Sequence, residues 1–136
     1  MGSELRIYNP TTMAKPLGLY CHLSRAKAGE FLHIAGQVSV DKDGELVGAG
    51  DFEAQMKQTY ANLRAALESA GAGFGDVVKY TTYMTRREDL DEYRRVRNAL
   101  YDDIYPNGGY PPNTLLIISA LVNDDLLLEI EAVAAI

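Results

Sequence analysis

Glu129 and Glu131 stand two residues apart inside the most apolar run of the chain, LLLEIEAVAAI (126–136). A carboxylate taken out of water without a partner pays heavily in free energy, or its pKa shifts until it is neutral. Such a group either meets solvent or a cation at a rim, or is a functional carboxylate aimed at a site. The spacing fits both readings. In an extended strand, residues 129 and 131 share a face with Leu127 and Val133. Leu128, Ile130, Ala132 and Ala134 then make the opposite face wholly apolar.

Other residues with chemistry to offer are few. Asn113 opens a strand-like run in YPPNTLLI (110–117), where its amide can donate and accept hydrogen bonds but carries no charge. Tyr93 and Arg97 lie one helical turn apart on a common face, so the guanidinium at 97 either enters a cleft beside the ring or lies in solvent. His22, His33 and the single Cys21 have no metal-ligand spacing, and no metal or cofactor is expected. The histidines read as structural or surface residues, with His22 the better placed to touch a ligand, and Cys21 as a small buried hydrophobe. GAGFG (71–75) follows a helix instead of opening one, so it is a helix stop and not a phosphate loop. Asn107-Gly108-Gly109-Tyr110 reads as a plain loop or as a flap over a cleft.

The elements that must position these groups are legible in outline. Residues 18–26 and 30–38 are β-rich, with KAG between them as a hairpin turn. VDKDGELVGAG (40–50) is a loop. DFEAQMKQTYANLRAALESAG (51–71) repeats Phe52, Met56, Thr59, Leu63, Leu67 and Ala70 at helical spacing, with Asp51 as N-cap and Gly71 closing the helix. DVVKYTTYMTR (76–86) alternates as a strand. DLDEYRRVRNALYDDIY (89–105) forms a second helix with Leu90, Tyr93, Val96, Leu100 and Ile104 on one side. Strands over about 113–121 and 127–135 end the chain. The order is βββαβαββ, a single α+β domain over 1–136 with two helices on one face of a six-stranded mixed sheet. The last two strands look too apolar for a sheet with one face in water, so the other face is expected to meet a second copy of the chain.

Composition narrows the function. A formal charge of -6 argues against nucleic acid and anionic membranes, since phosphate surfaces reward a surplus of Lys and Arg. The arginine-rich TRREDLDEYRRVR (85–97) is interleaved with acids and reads as a solvated helix face. One cysteine, no membrane-length apolar run and no apolar leader in MGSELR make a cytoplasmic protein the expectation. Met1 to Ser3 suit an expression remnant.

IAGQV (34–38), the 51–85 segment with its Gly75-Asp76-Val77-Val78-Lys79, and LLLEIEAVA (126–134) together resemble the RidA/YjgF family, once labelled translation-inhibitor endoribonucleases. The likeness covers nearly the whole chain in order. It implies a chorismate-mutase-like fold, a homotrimer with a central β-barrel, and small-molecule clefts between subunits. The best-known members hydrolyse reactive enamines and imines to 2-keto acids and ammonia. By position, Tyr20 corresponds to the family's cleft tyrosine, Gly36 to its glycine and Glu129 to the glutamate that handles water.

The family's carboxylate-gripping arginine has no counterpart. Where the motif takes Pro-x-Arg-Ser, this chain reads Pro111-Pro112-Asn113-Thr114, followed by a greasier Leu115. Loss of such an anchor costs about 2–5 kcal/mol, which puts standard 2-iminopropanoate deamination in question. The resemblance thus leaves a hydrolase of another C=N metabolite, with Glu129 on water and the Gly36 and Thr114 backbones polarising substrate, against a ligand-binding or regulatory member. A ribonuclease is the weakest reading, for want of positive charge and of a His/Lys acid–base pair. Tyr93 and Arg97 complete the candidate substrate-binding set.

Overall fold

A computed structural model describes residues 4–136, so the reading of Met1 to Ser3 falls outside it. Six strands and two helices follow in the expected order: β1 (Glu4–Tyr8), β2 (Leu23–Lys27), β3 (Phe31–Gln37), α1 (Phe52–Ser69), β4 (Val77–Met84), α2 (Leu90–Ile104), β5 (Asn113–Ile117) and β6 (Leu128–Ala135). The strand at 4–8, implied by the order but not located from the sequence, is β1.

The strands do not form one ladder. β1 pairs antiparallel with β2, while β3, β6, β4 and β5 make a separate mixed sheet in that order. The expected hairpin across Lys27-Ala28-Gly29 is therefore absent. Instead, the backbone N–H groups of Gly29 and Glu30 both donate to the Ile136 carbonyl, at 2.9 and 2.8 Å. That pair docks β3 on the C-terminal strand, where Leu32 and Ile34 face Ala134 and Ala132 across the ladder. Local turn chemistry lost to an apolar partner a hundred residues away. The two sheets still meet, because the Ser24 hydroxyl donates to the Val78 carbonyl at 2.6 Å.

α1 forms where its pattern predicts. Asp51 accepts from Ala54 N at 3.0 Å as N-cap. At the other end Gly71 takes φ +72°, and the Gly71 and Ala72 N–H groups bond back to Glu68 and Leu67 carbonyls. Glycine reaches that left-handed conformation without the Cβ penalty, which ends the helix cleanly. Phe52, Met56, Thr59, Leu63 and Leu67 are buried, while Ala70 is exposed. α2 is the crossover between the parallel strands β4 and β5, as a parallel pair requires. Both helices cover the face carrying Leu128, Ile130, Ala132 and Ala134, all buried.

The core between them is unusually rich in tyrosine. Tyr60 and Tyr101 share a hydroxyl–hydroxyl bond of 3.1 Å, Tyr80 and Tyr105 one of 2.7 Å, and Tyr105 donates onward to the Phe74 carbonyl. Burial holds all four phenols above their ordinary pKa, so they stay neutral and can serve as hydrogen-bonded core. Tyr110 stacks on Tyr101 with centroids 5.6 Å apart, which ties the end of the 106–112 loop to the core, while Asn107 and Gly109 stay exposed.

The sheet's second face is more polar than its sequence suggested. Register places Lys79, Thr81, Tyr83, Thr114, Glu129, Glu131 and His33 on it, with exposed Phe31 and Leu116 as its large apolar groups. Four of the six apolar residues of β6, Leu128, Ile130, Ala132 and Ala134, are spent on the helix side. No described helix is long and apolar enough to cross a membrane.

Candidate functional site

The candidate residues fall into two groups on opposite faces of the four-stranded sheet. Paired residues share a face, so the rows Glu129–Tyr83–Leu116 and Glu131–Thr81–Thr114 belong to the open face. The rows Ile130–Thr82–Leu115 and Ala132–Tyr80–Asn113 belong to the helix face. Thr114 and Leu115, adjacent in sequence, thus point to different sides.

On the open face, Glu129 sits against a bulge in β3. Between Ile34 and Gln37 the register slips by one residue relative to Ala132 and Ile130. Gly36 lies in the bulge, where a Cβ would stand 1.8 Å from Glu129 Oε2 and 2.6 Å from its Cδ. Only glycine leaves the carboxylate room to lie flat on the β3 backbone. Burial, and then the neighbouring Glu131, push the Glu129 pKa above its ordinary value. Glu131 has a different environment, since it accepts a 2.5 Å hydrogen bond from the Tyr83 hydroxyl. That bond and burial raise the Tyr83 phenol in turn. Tyr83 was not foreseen, although the alternation of KYTTYM (79–84) puts it on the face of the glutamates.

On the helix face, a cleft of about 230 Å³ opens between α2, the start of β5 and the segment before β2. Tyr20, Tyr93, Arg97, Asn113 and Leu115 line it together, joined by Leu17, Gly18, Leu90 and Arg94. Five sequence candidates therefore meet in one place, although Tyr20 sits in a loop and not in the strand predicted over 18–26. Its hydroxyl accepts from Leu17 N at 3.3 Å. His22, a neighbour of Tyr20 in an edge-to-face contact, holds the Ala14 carbonyl at 2.7 Å, so its ring serves the loop.

Both polar atoms of the Asn113 amide have partners within the protein. Its Oδ1 accepts from the Thr82 hydroxyl at 2.8 Å, and its Nδ2 donates to the Tyr93 hydroxyl at 3.4 Å. Tyr80 N bonds the Pro112 carbonyl and fixes the chain entering β5. The amide is a brace between β4 and α2.

Arg97 takes the inward of its two sequence readings. It is 8% exposed, with its guanidinium 5.3 Å over the Tyr93 ring. A Cβ on Gly18 would lie 3.2 Å from one terminal nitrogen and 3.3 Å from the other. Its only side-chain hydrogen bond among the described residues is to Asn98 Oδ1 at 3.3 Å, and its buried Nε has no acceptor. The ion pairs formed among the described residues all use other arginines or Lys57.

The fold is that of an α+β protein with two helices on one face of a mixed sheet, a cleft beside the second helix and two glutamates on the opposite face. The family model described as Endoribonuclease L-PSP matches residues 11–136. A RutC family protein of Pyrococcus horikoshii is 37% identical over 121 residues, covering 88% of this chain and 89% of its own. A protein named 2-iminobutanoate/2-iminopropanoate deaminase from Salmonella typhimurium is 31% identical over 121 residues, with 88% and 90% covered. The crystal structure of YyfB, a Rid-family protein of unknown function from Yersinia pestis, superposes with a TM-score of 0.85 at 36% identity, covering 97% of this chain and 98% of that one. The chain belongs to the RidA/YjgF family and has its chorismate-mutase-like α+β fold.

Proposed function

We propose that this chain is a C=N hydrolase acting on an imine- or enamine-type metabolite, in clefts completed between the subunits of a homotrimer. The observation that carries the reading is the division of the site. Glu129 and Gly36 lie on one face of the sheet, and the cleft of Tyr20, Tyr93, Arg97 and Asn113 on the other. No single copy can bring an acid and that cleft onto one substrate, whereas a ring of copies can, each giving its open face to a neighbour's cleft. Exposed Leu17 and Leu116, 96% and 44% accessible, suit such a seam.

In the reaction, Glu129 takes a proton from water as the water oxygen bonds to the imine carbon. The C=N π pair moves to nitrogen, which takes that proton from Glu129. Glu129 then removes the hydroxyl proton of the carbinolamine as the C=O bond forms, the C–N bond breaks, and the same proton passes to the departing nitrogen, which leaves as ammonia. Burial makes Glu129 a stronger base than a free carboxylate, and general acid–base help of this kind contributes ~10²–10⁴-fold. Backbone groups at Gly36 and Thr114 polarise the substrate.

The second reading, a ligand-binding or regulatory protein without turnover, is favoured by the engagement of Asn113, which puts no cation at that wall. Decay of an enzymatically generated imine separates the two. Acceleration of 2-imino acids with larger side chains, and none of 2-iminopropanoate, is the expected result. Failure to accelerate any imine at micromolar protein supports the binding role.

A further inference from the structure

Arg97 is a cation withdrawn from water with too few partners. More than nine-tenths of it is buried, its Nε meets no acceptor, and its company is the Tyr93 face and one Asn98 amide oxygen. An aromatic face and a single amide offset little of the cost of dehydrating a guanidinium. Gly18 matters to the arrangement, because any side chain there would press on both terminal nitrogens. The guanidinium also borders an open cleft, so an anion arriving there finds donors in place. Its planar fork matches a carboxylate.

The remaining walls describe the rest of the ligand. Leu17, Leu90, Leu115 and the rings of Tyr20 and Tyr93 are apolar or aromatic, and Arg94, the other cation on the wall, is already paired with Asp91 at 3.2 Å. Asn113, tied to Thr82 and Tyr93, lends the cleft shape and no free charge. The part of the cleft that one copy supplies holds about 230 Å³, which suits a ligand of metabolite size.

We infer that Arg97 is the anion-binding residue of this cleft, and that the ligand is a small carboxylate with a branched or aromatic hydrocarbon body. The carboxylate enters against α2 and not against β5, and its apolar body lies along Leu90 and Leu115. The inference deepens the proposed hydrolase by naming its substrate class, yet anion binding itself does not depend on turnover.

The test is calorimetric titration at low salt with 3-phenylpropanoate and its neutral counterpart, 3-phenylpropanamide. Wild-type protein is expected to bind the acid and to discriminate against the amide. Arg97→Met should weaken the acid by about 100-fold and leave the amide unchanged, and Arg97→Lys should recover part of the loss. If Arg97→Met does not fold, Arg97→Lys and Gly18→Ala carry the test, each expected to weaken the acid several-fold. Equal binding of acid and amide by wild type overturns the inference, as does acid binding to Arg97→Met within about 3-fold of wild type. So does a wild type that binds no acid while Arg97→Met loses its assembly, which would make the guanidinium a bridge between subunits. Acid binding without hydrolysis counts against the proposed reaction alone, and hydrolysis without Arg97-dependent binding counts against this inference alone.

Discussion

Gly36→Ala isolates the packing that aims Glu129. The added methyl would stand 1.8 Å from Oε2, so the carboxylate must retreat by about 1.6 Å to reach the 3.4 Å of ordinary contact. Gly36 has no left-handed φ, and every close atom belongs to the Glu129 side chain, so the backbone tolerates alanine. The stability cost is then that of turning one side chain off its rotamer, about 0.5–1.5 kcal/mol. The catalytic cost is larger, since misplacing a reacting group by 1 Å is worth about 10²-fold. Urea unfolding and imine decay, measured on the same preparations, give both quantities. A Glu129→Ala background supplies the control: there the added methyl meets no carboxylate and should change neither quantity. Full activity in Gly36→Ala, or an equal stability loss in the Glu129→Ala background, would refute the idea that the glycine exists to seat the glutamate.

Three further outcomes are expected. Glu129 binds its proton more tightly folded than unfolded, so its contribution to stability is whole below the ordinary carboxylate pKa and is lost as pH rises through the raised folded value; Glu129→Gln should therefore raise the urea midpoint at pH 7, leave it unchanged near pH 3, and abolish hydrolysis. Tyr105→Phe strands the Phe74 carbonyl and the Tyr80 hydroxyl and should cost about 1–3 kcal/mol in urea, with Tyr80→Phe adding less than its own separate effect. Asn113→Arg alone sets a second guanidinium beside Arg97 and should bring no gain, whereas Asn113→Arg with Arg97→Met moves the charge to β5 and should raise 2-iminopropanoate hydrolysis above wild type.

What the sequence shows of this fold is what local pattern determines. α1 carries its own cap, stripe and stop in Asp51, Met56–Leu67 and Gly71, and each does in the structure what its residue type favours. β2 and β3 show the limit. Their charged and apolar compositions differ, but the KAG turn between them invites a hairpin, and nothing local reveals that β3 pairs with β6. The same limit hides the cleft. Arg97 reads as solvated because it stands in an arginine-rich helix, and only the approach of Gly18, nearly eighty residues earlier, encloses it. Asn113 reads as a lost anchor, and its use as a brace appears only once Thr82 and Tyr93 flank it. The glutamates were legible because strand period alone separates their face from that of Leu128 and Ile130.

The division of the site between copies is open to a direct measurement. Arg97→Met and Glu129→Gln proteins, each inactive alone, are unfolded together in equal amounts and refolded as mixed assemblies. If one copy supplies the cleft and its neighbour the acid, random mixing gives about one intact site in four, and about a quarter of wild-type activity returns. If every site lies within a single chain, the mixture stays as inactive as its components.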